Sequence, residues 1–444
     1  MLNRADYLVT YDKELGVIYA PKKKTVKTTT PAHAEALEKC LDQYYSDEMS
    51  AEDKEALENY MRRSFEDDPD LPVMEYPDLM NTKRIRRFEI MVANECNLNC
   101  RYCYANGGDY GETSQRITPT MAITYIDAFL EERYDEVDVV MFFGGEPTLC
   151  PDTISAICDF FSKGVESGRF KKLPDYTMVS NGTLIDSRMA EIIVHNKIRV
   201  TISVDGPQEV NDLLRMDKGG HGSFVRIEKG IQELKKLNYS PCMLEATFTS
   251  IHQNLGYDKQ AVRNHLRNKF GIENIMVVDC EGSEGQGFKP TGDTEDEEEI
   301  KRNIFSTQTH IHQVLSTYKF VDLNCDAGLA SIALFPDGAV YPCHRFVINK
   351  NYLIARYVNG QFDFSNYNCV LEKIRHIQRL QNPECQQCEI NSLCQRCPAS
   401  MLLTEGIDRG GKFCQEEILR EHKAALNYAK QQFLNQKAVA SVQE

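Results

Sequence analysis

The sequence predicts an α/β protein built on a partial (β/α)6 barrel. A small α+β, winged-helix-like module precedes the barrel, and a cysteine-rich domain follows it. Three observations predict this. Six β-like apolar runs alternate with amphipathic stretches between Phe88 and Val278, the pattern of a parallel sheet with right-handed crossovers. Short β runs followed by helical periods fill the first eighty-five residues. The cysteines gather into ordered groups, one just after the first barrel strand and one towards the C-terminus. The expected domains are therefore 1–85, 86–315 and 316–444.

Composition narrows the function. The chain has 444 residues, 42% hydrophobic and 26% charged, the make-up of a globular protein. No run of about 18 apolar residues occurs, and the charged N-terminus, with Asp6, has no apolar signal region. The expectation is a cytoplasmic protein with no membrane partner. A net charge of −15 argues against nucleic acid as a partner, because neutralising phosphates requires an excess of Lys and Arg. Sixteen cysteines without a secretion signal point to metal or redox chemistry rather than a disulfide framework.

In chain order, Tyr7–Tyr11 and Gly16–Ala20 read as a hairpin, with a third strand including Thr25, Val26 and Lys27. Thr30-Pro31 is an N-cap followed by Pro at the first helical position, opening a helix to about Tyr44. Ser50 with Asp53 opens a second helix, in which Ala56, Leu57, Tyr60 and Met61 keep helical spacing. Strands followed by helices in this order resemble the leader-recognition domain of enzymes that modify ribosomally made peptides. Such a domain grips an extended leader as an added strand; the alternative is a purely structural appendage. Pro72, Glu75, Pro77 and Asp78 read as the linker into the barrel.

The first barrel strand, around Phe88–Ala93, runs into Cys96-Asn97-Leu98-Asn99-Cys100-Arg101-Tyr102-Cys103, a C-x3-C-x2-C pattern. A zinc ribbon would need a second C-x2-C pair roughly 15–20 residues away, and none lies there. A loop this tight can wrap three thiolates around one face of a 4Fe–4S cluster, one per iron, leaving the fourth iron open. With Tyr102 before the last cysteine, the pattern resembles that of the radical S-adenosylmethionine enzymes. The resemblance implies that the open iron is chelated by the amino and carboxylate groups of S-adenosylmethionine. Its reductive cleavage then gives a 5′-deoxyadenosyl radical that abstracts hydrogen from substrate.

The later strands are expected at Val137 to Phe143, Tyr176 to Ser180, Val200 to Val204, Met243 to Thr249 and Ile275 to Val278. Helical stretches such as 120–131, 186–195 and 227–237 separate them. Polar motifs fall at the C-terminal strand ends, where barrel chemistry sits. Gly144-Gly145-Glu146-Pro147 offers a close backbone approach and a carboxylate for an ammonium group. It matches the family's motif for the methionine amino group. Ser180 and Asn181 end the third strand, and Ser203 and Asp205 end the fourth; both segments resemble those that contact the ribose and the carboxylate. Arg215 resembles the arginine that pairs with the methionine carboxylate. The sixth strand ends in Asp279-Cys280 and has no Gly-rich adenine motif.

Beyond an acidic, Gly-containing stretch, Thr294-Glu295-Asp296-Glu297 is a capping-box pattern opening a helix. Pro336-Asp337-Gly338 between apolar runs is a hairpin turn. Cys325, Cys343, Cys385, Cys388, Cys394, Cys397 and Cys414 follow an order that resembles the SPASM domain, an extension with two auxiliary clusters. The resemblance assigns Cys385, Cys388, Cys394 and Cys414 to a distal cluster, and Cys325, Cys343 and Cys397 to a proximal one. Seven thiols leave one ligand open: a substrate thiol, Cys280 or Cys369. The other cysteines read as small buried hydrophobes.

The resemblance thus implies three 4Fe–4S clusters, S-adenosylmethionine, and an electron donor such as flavodoxin or ferredoxin. Its leading function is a peptide maturase forming thioether crosslinks in a precursor with a leader and a Cys-rich core. The alternatives are a formylglycine-generating sulfatase maturase, a carbon–carbon crosslinker, or an iron–sulfur scaffold without turnover. No catalytic side chain is assigned by sequence.

Overall fold

The structure, a computed structural model, describes residues 1–3, 6–66, 68, 73–74, 82–111, 113–280, 287–292, 294–316, 320–321, 325–347, 349–377, 385, 388–391, 394, 397–399, 414 and 418–430. The expected linker residues Pro72, Glu75, Pro77 and Asp78, and the start of the acidic stretch at 281–286, lie outside these. The chain forms two compact units. One gathers Met1–Met80, Glu297–Cys325 and Lys373–Glu444; the other gathers Asn81–Asp296 and Asp326–Glu372.

In the first unit, β1 (Leu8–Tyr11), β2 (Gly16–Ala20) and β3 (Thr25–Thr29) form an antiparallel sheet in chain order. Gly16 is required there, because a Cβ would stand 2.6 Å from the Ala34 Cβ. Helices Pro31–Tyr45 and Ala51–Ser64 start at the expected caps: Thr30 accepts from the His33 N–H, and Ser50 from the Asp53 N–H. Alternation along the strands divides their side chains. Val9, Ile18 and Ala20 pack with Leu37, Leu41, Leu57 and Met61 of the two helices. Leu8 and Tyr19 instead share a core with Ile311, Ile390, Ala425 and Tyr428, with Cys388 and Cys394 against it. Chain-terminal segments therefore enclose one hydrophobic cluster. The unit also holds a two-residue parallel pairing of β4 (Val73–Met74) with a strand at Phe320–Val321, and the helix Glu297–Ser316.

The second unit carries a ten-stranded sheet. Its first six strands are β5 (Arg84–Ala93), β6 (Glu136–Gly144), β7 (Asp175–Ser180), β8 (Arg199–Ser203), β9 (Met243–Phe248) and β10 (Ile275–Asp279). They lie side by side in chain order, all parallel. Crossover helices include Pro119–Arg133, Pro151–Glu166, Ser187–His195, Phe224–Lys236 and Lys259–Phe270. Strictly sequential order with right-handed crossovers keeps the helices on one face, as in a barrel wall. Among the described residues the wall does not close, so the partial (β/α)6 expectation holds as an open parallel sheet.

The far side of β5 carries what the sequence left unassigned. With β11 the strand at Phe320–Val321, β12 (Ser331–Leu334) pairs parallel to β5, Ile332 opposite Phe88, and turns back through the expected hairpin into β13 (Ala339–Tyr341). Gly338 makes that turn at φ +78°, where a Cβ would also meet the Tyr357 Cβ at 2.8 Å. β14 (Ala355–Val358) and β15 (Gln361–Asp363) complete the edge. The helix expected after Thr294 begins at Glu297, but Thr294 donates its hydroxyl to Asp279 at 2.7 Å, and Asp296 takes the fully buried Arg263. These two residues tie the chain after β10. No described helix is long and apolar enough to cross a membrane.

Candidate functional site

The loop after β5 hangs on another segment of backbone. The Asn99 N–H donates to the Met216 carbonyl at 2.7 Å and the Arg101 N–H to the Leu214 carbonyl at 2.9 Å. The three-cysteine loop and Arg215 are thereby brought together. On its other flank, Gly145 and Glu146 donate their N–H groups to the Ala93 and Glu95 carbonyls. Gly144 sits at φ +136°, and a Cβ on Gly145 would stand 2.3 Å from the Glu95 oxygen. The glycines expected to admit a ligand therefore first admit the cysteine loop.

Glu146 is buried, with Oε1 accepting from the Thr148 N–H (3.0 Å), the Thr148 hydroxyl (2.5 Å) and the Ser180 hydroxyl (2.7 Å). Oε2 accepts from the Asn181 N–H at 2.7 Å and keeps acceptor capacity. Burial holds its carboxyl above the ordinary range, opposed by these hydrogen bonds. The Asn181 amide donates to the Asn97 side chain at 2.9 Å and reaches the Cys96 sulfur at 3.7 Å. Asn181 thus braces the cysteine loop. Ser203 ends β8, half-buried.

The strongest convergence is at Asp205. Tyr102, from within the cysteine loop, donates its hydroxyl to Asp205 Oδ2 at 2.6 Å and accepts from Arg215 Nη1 at 2.6 Å. Arg215 Nη1 stands 3.7 Å from Asp205 Oδ1. Asp205 and Arg215 are buried, and Tyr102 is half-buried. Burial drives the Tyr102 phenol well above its usual value. Burial opposes charge on Arg215, yet Tyr102, Cys100 and Asp205 together hold its guanidinium protonated. Its Nε is buried with no partner among the described residues.

Burial, then the Glu146 carboxylate, pushes the Cys96 thiol up to about 12, and both other thiols of the loop add to that rise. Burial pushes Cys100 up to about 11 against the pull of Arg215. Thiols so placed stay neutral unless a cation joins them. Among the described residues no three His, Cys, Asp or Glu groups are spaced for a single metal ion. Cysteines that each bind a different iron of a cluster stand further apart than ligands of one ion.

In the other unit, the Cys388 N–H donates to the Cys385 carbonyl at 3.1 Å, the Cys394 N–H to the Ile390 carbonyl at 2.8 Å, and the Asn391 side chain to the Cys385 carbonyl at 2.6 Å. Burial pushes Cys388 up to about 11, with Cys394, Glu389 and Cys385 adding to it. Cys325, Cys397 and Cys414 belong to this unit and are half-buried, whereas Cys343 follows β13 by two residues and is buried in the sheet unit. Cys280 is buried at the end of β10. Cys242 and Cys369 are exposed rather than buried, since each lies where the chain meets solvent.

Sequence reasoning missed three polar residues. Glu89, fully buried in the middle of β5, accepts from the His344 backbone N–H (2.8 Å), contacts His344 Nδ1 (3.0 Å), and pairs with Arg87 at 3.0 Å. Glu245, on β9, has its carboxyl raised by burial, opposed by Arg215. His252 is fully buried with its Nε2 2.6 Å from the Asp205 carbonyl. For the two glutamates a signal existed, a charged residue inside an otherwise strand-like run. His252 had none.

Residues 90–267 match the model of the radical SAM superfamily. This part of the chain is a radical SAM domain, and its relatives include anaerobic sulfatase-maturating enzymes and a radical SAM cyclopropyl synthase. Over 186 residues the chain is 33% identical to an uncharacterised protein of Methanocaldococcus jannaschii, covering 42% of this chain and 59% of that one. It is 29% identical over 168 residues to the radical SAM cyclopropyl synthase TigE of Paramaledivibacter caminithermalis, covering 35% and 34%. With a cysteine-type anaerobic sulfatase-maturating enzyme of Clostridium perfringens it shares 25% over 292 residues, covering 57% and 73%. The chain thus spans less than two thirds of the first two relatives. The fold resembles that of anSMEcpe with bound AdoMet (TM-score 0.51, 22% identity, 79% of this chain and 98% of that one). It also resembles Streptococcus suis SuiB bound to precursor peptide SuiA (TM-score 0.50, 15%, 90% and 96%).

Proposed function

We propose that the protein is a radical S-adenosylmethionine peptide maturase of SPASM type that forms thioether crosslinks in a Cys-rich, ribosomally made precursor. The observation that carries the reading is the Tyr102–Asp205–Arg215 arm, its two charged members buried, joined to the three-cysteine loop. The residues fit the cofactor set: three cysteines on one tight loop, with the thiols of Cys96 and Cys100 pushed up by burial, an Arg215 Nε with no partner among the described residues, and a Glu146 carboxylate with acceptor capacity. Cys96, Cys100 and Cys103 would hold the cluster, with Glu146 receiving the ammonium of S-adenosylmethionine and Arg215 its carboxylate. Tyr102, Gly144, Gly145, Ser180, Asn181, Ser203 and Asp205 would shape that pocket. When bound, this group supplies a carbon radical strong enough to take hydrogen from an unactivated C–H bond. Net, the substrate gives up one carbon-bound hydrogen, one thiol proton and one electron as the C–S bond forms.

Two auxiliary clusters on Cys325, Cys343, Cys385, Cys388, Cys394, Cys397 and Cys414 would take that electron. A flavodoxin or ferredoxin would reduce the first cluster, and β1–β3 with their helices would bind the leader. Support for a peptide substrate comes from relatives named as sulfatase-maturating enzymes and from a like fold, SuiB, recorded with its precursor peptide. The length of the match to the cysteine-type sulfatase enzyme, 73% of that protein, favours formylglycine formation as the second reading. Anaerobic incubation with a Cys-rich precursor or a sulfatase peptide, followed by mass spectrometry, separates them. Loss of two hydrogens with thiols blocked to alkylation is expected for the precursor. Conversion of only the sulfatase cysteine would overturn the thioether assignment.

A further inference from the structure

We infer that His252, which lies outside the proposed contact set, is a positioning residue for S-adenosylmethionine: it holds the Asp205 backbone and, through the Asp205 carboxylate, the Tyr102–Arg215 arm. The inference rests on the cofactor reading above and adds a residue to the same site.

Asp205 sits where the chain leaves the sheet. The preceding Val204 N–H still donates to Glu245 of β9 at 2.9 Å, but Gly206 turns away at φ +122°. Asp205 is fully buried, so its carbonyl needs a donor from within the protein. That donor is the imidazole. His252 Nδ1 lies 3.0 Å from the backbone N–H of Thr249, which can only donate. Nδ1 therefore accepts, the proton resides on Nε2, and Nε2 donates to the Asp205 carbonyl at 2.6 Å. The ring packs on Phe248, with centroids 4.9 Å apart. Burial also lowers the imidazole's proton affinity, favouring this neutral form.

Every other polar group of Asp205 is engaged. Its N–H donates to Asn211 Oδ1 at 3.2 Å, Oδ1 accepts from the Thr247 N–H at 3.1 Å, and Oδ2 accepts from Tyr102. A shift of Asp205 thus passes through two contacts of 2.6 Å to the Arg215 guanidinium. One neutral ring that accepts on one edge and donates on the other joins the end of β9 to the end of β8. Leucine can do neither, whereas a glutamine amide can reproduce the donated hydrogen.

The test uses full-length, anaerobically reconstituted protein and titrates the change that S-adenosylmethionine causes in the electron paramagnetic spectrum of the reduced cluster. Iron content and thermal melting are measured beside it. His252→Leu is expected to raise the half-saturating concentration about tenfold, as one lost buried hydrogen bond would, with iron content unchanged. His252→Gln is expected to stay within about threefold of wild type, since its amide restores the donor. Wild-type affinity in His252→Leu overturns the inference, and so does an equal loss in both variants. If His252→Leu does not hold its cluster, His252→Asn, whose amide is too short for the contact, should show the same weakening, and wild-type affinity there overturns the inference. Wild-type protein that gives no response to S-adenosylmethionine overturns the cofactor reading itself, whatever the variants do.

Discussion

The Tyr102 hydroxyl stands 2.6 Å from both the Asp205 carboxylate and the Arg215 guanidinium, so one phenol keeps two buried opposite charges joined. Tyr102→Phe removes that bridge and leaves Asp205 Oδ2 without its donor. The cost of an unmet buried group is about 1–3 kcal/mol. Expected outcomes are a lower melting temperature and weaker S-adenosylmethionine binding with iron content retained; unchanged binding would exclude Tyr102 from the arm. The thiols give a sharper test. Replacing Cys96, Cys100 and Cys103 together with Ala should abolish 5′-deoxyadenosine formation with dithionite as reductant. Wild-type yield from that variant would overturn the cluster assignment.

Elements matter here through where they end. β5, β6, β7 and β8 deliver the cysteine loop, Glu146, Ser180–Asn181 and Asp205 to one side of the sheet because parallel strands place all their C-terminal ends together. Close approach of the loops after β5 and β6 depends on Gly145, where a Cβ would meet the backbone of Glu95 at 2.3 Å. Backbone cannot yield as a flexible side chain can. Gly145→Ala is therefore expected to push the cysteine loop outward, lowering iron per chain after reconstitution, with the helical circular-dichroism signal retained. Full iron content would show that the loop has room to spare.

At the scale of the whole molecule, Leu8 and Tyr19 of the N-terminal sheet share a core with Ile390, Ala425 and Tyr428, against which Cys388 and Cys394 pack. Lys430 also pairs with Asp12 and, at 3.1 Å, with Glu14. Deleting residues 1–85 would remove one wall of that core. The expected result is loss of affinity for a leader peptide together with a fall in iron content and melting temperature. A truncated protein that keeps full iron content and loses only leader affinity would show the N-terminal segment to be separable. Single substitutions on β3, an edge strand of that sheet, are the milder probe of leader binding.

Sequence alone determined what local physics controls. Thr30 and Ser50 cap helices because a side-chain oxygen meets an N–H three residues on. Pro336-Asp337-Gly338 turns a hairpin because glycine accepts φ +78°, and the six strands of the wall follow from apolar runs bounded by polar residues. The spacing of Cys96, Cys100 and Cys103 was legible for the same reason. Tertiary structure alone decided the partners. Tyr102 meets Asp205 and Arg215 across 103 and 113 residues, His252 meets Asp205 across 47, and Glu89 meets His344 across 255. β12 joins β5 only through parallel pairing that no local pattern announces. Such contacts are set by strand order and register, which arise when separate apolar faces are buried together, and a buried carboxylate or imidazole takes its partner from whatever that packing brings within hydrogen-bond reach.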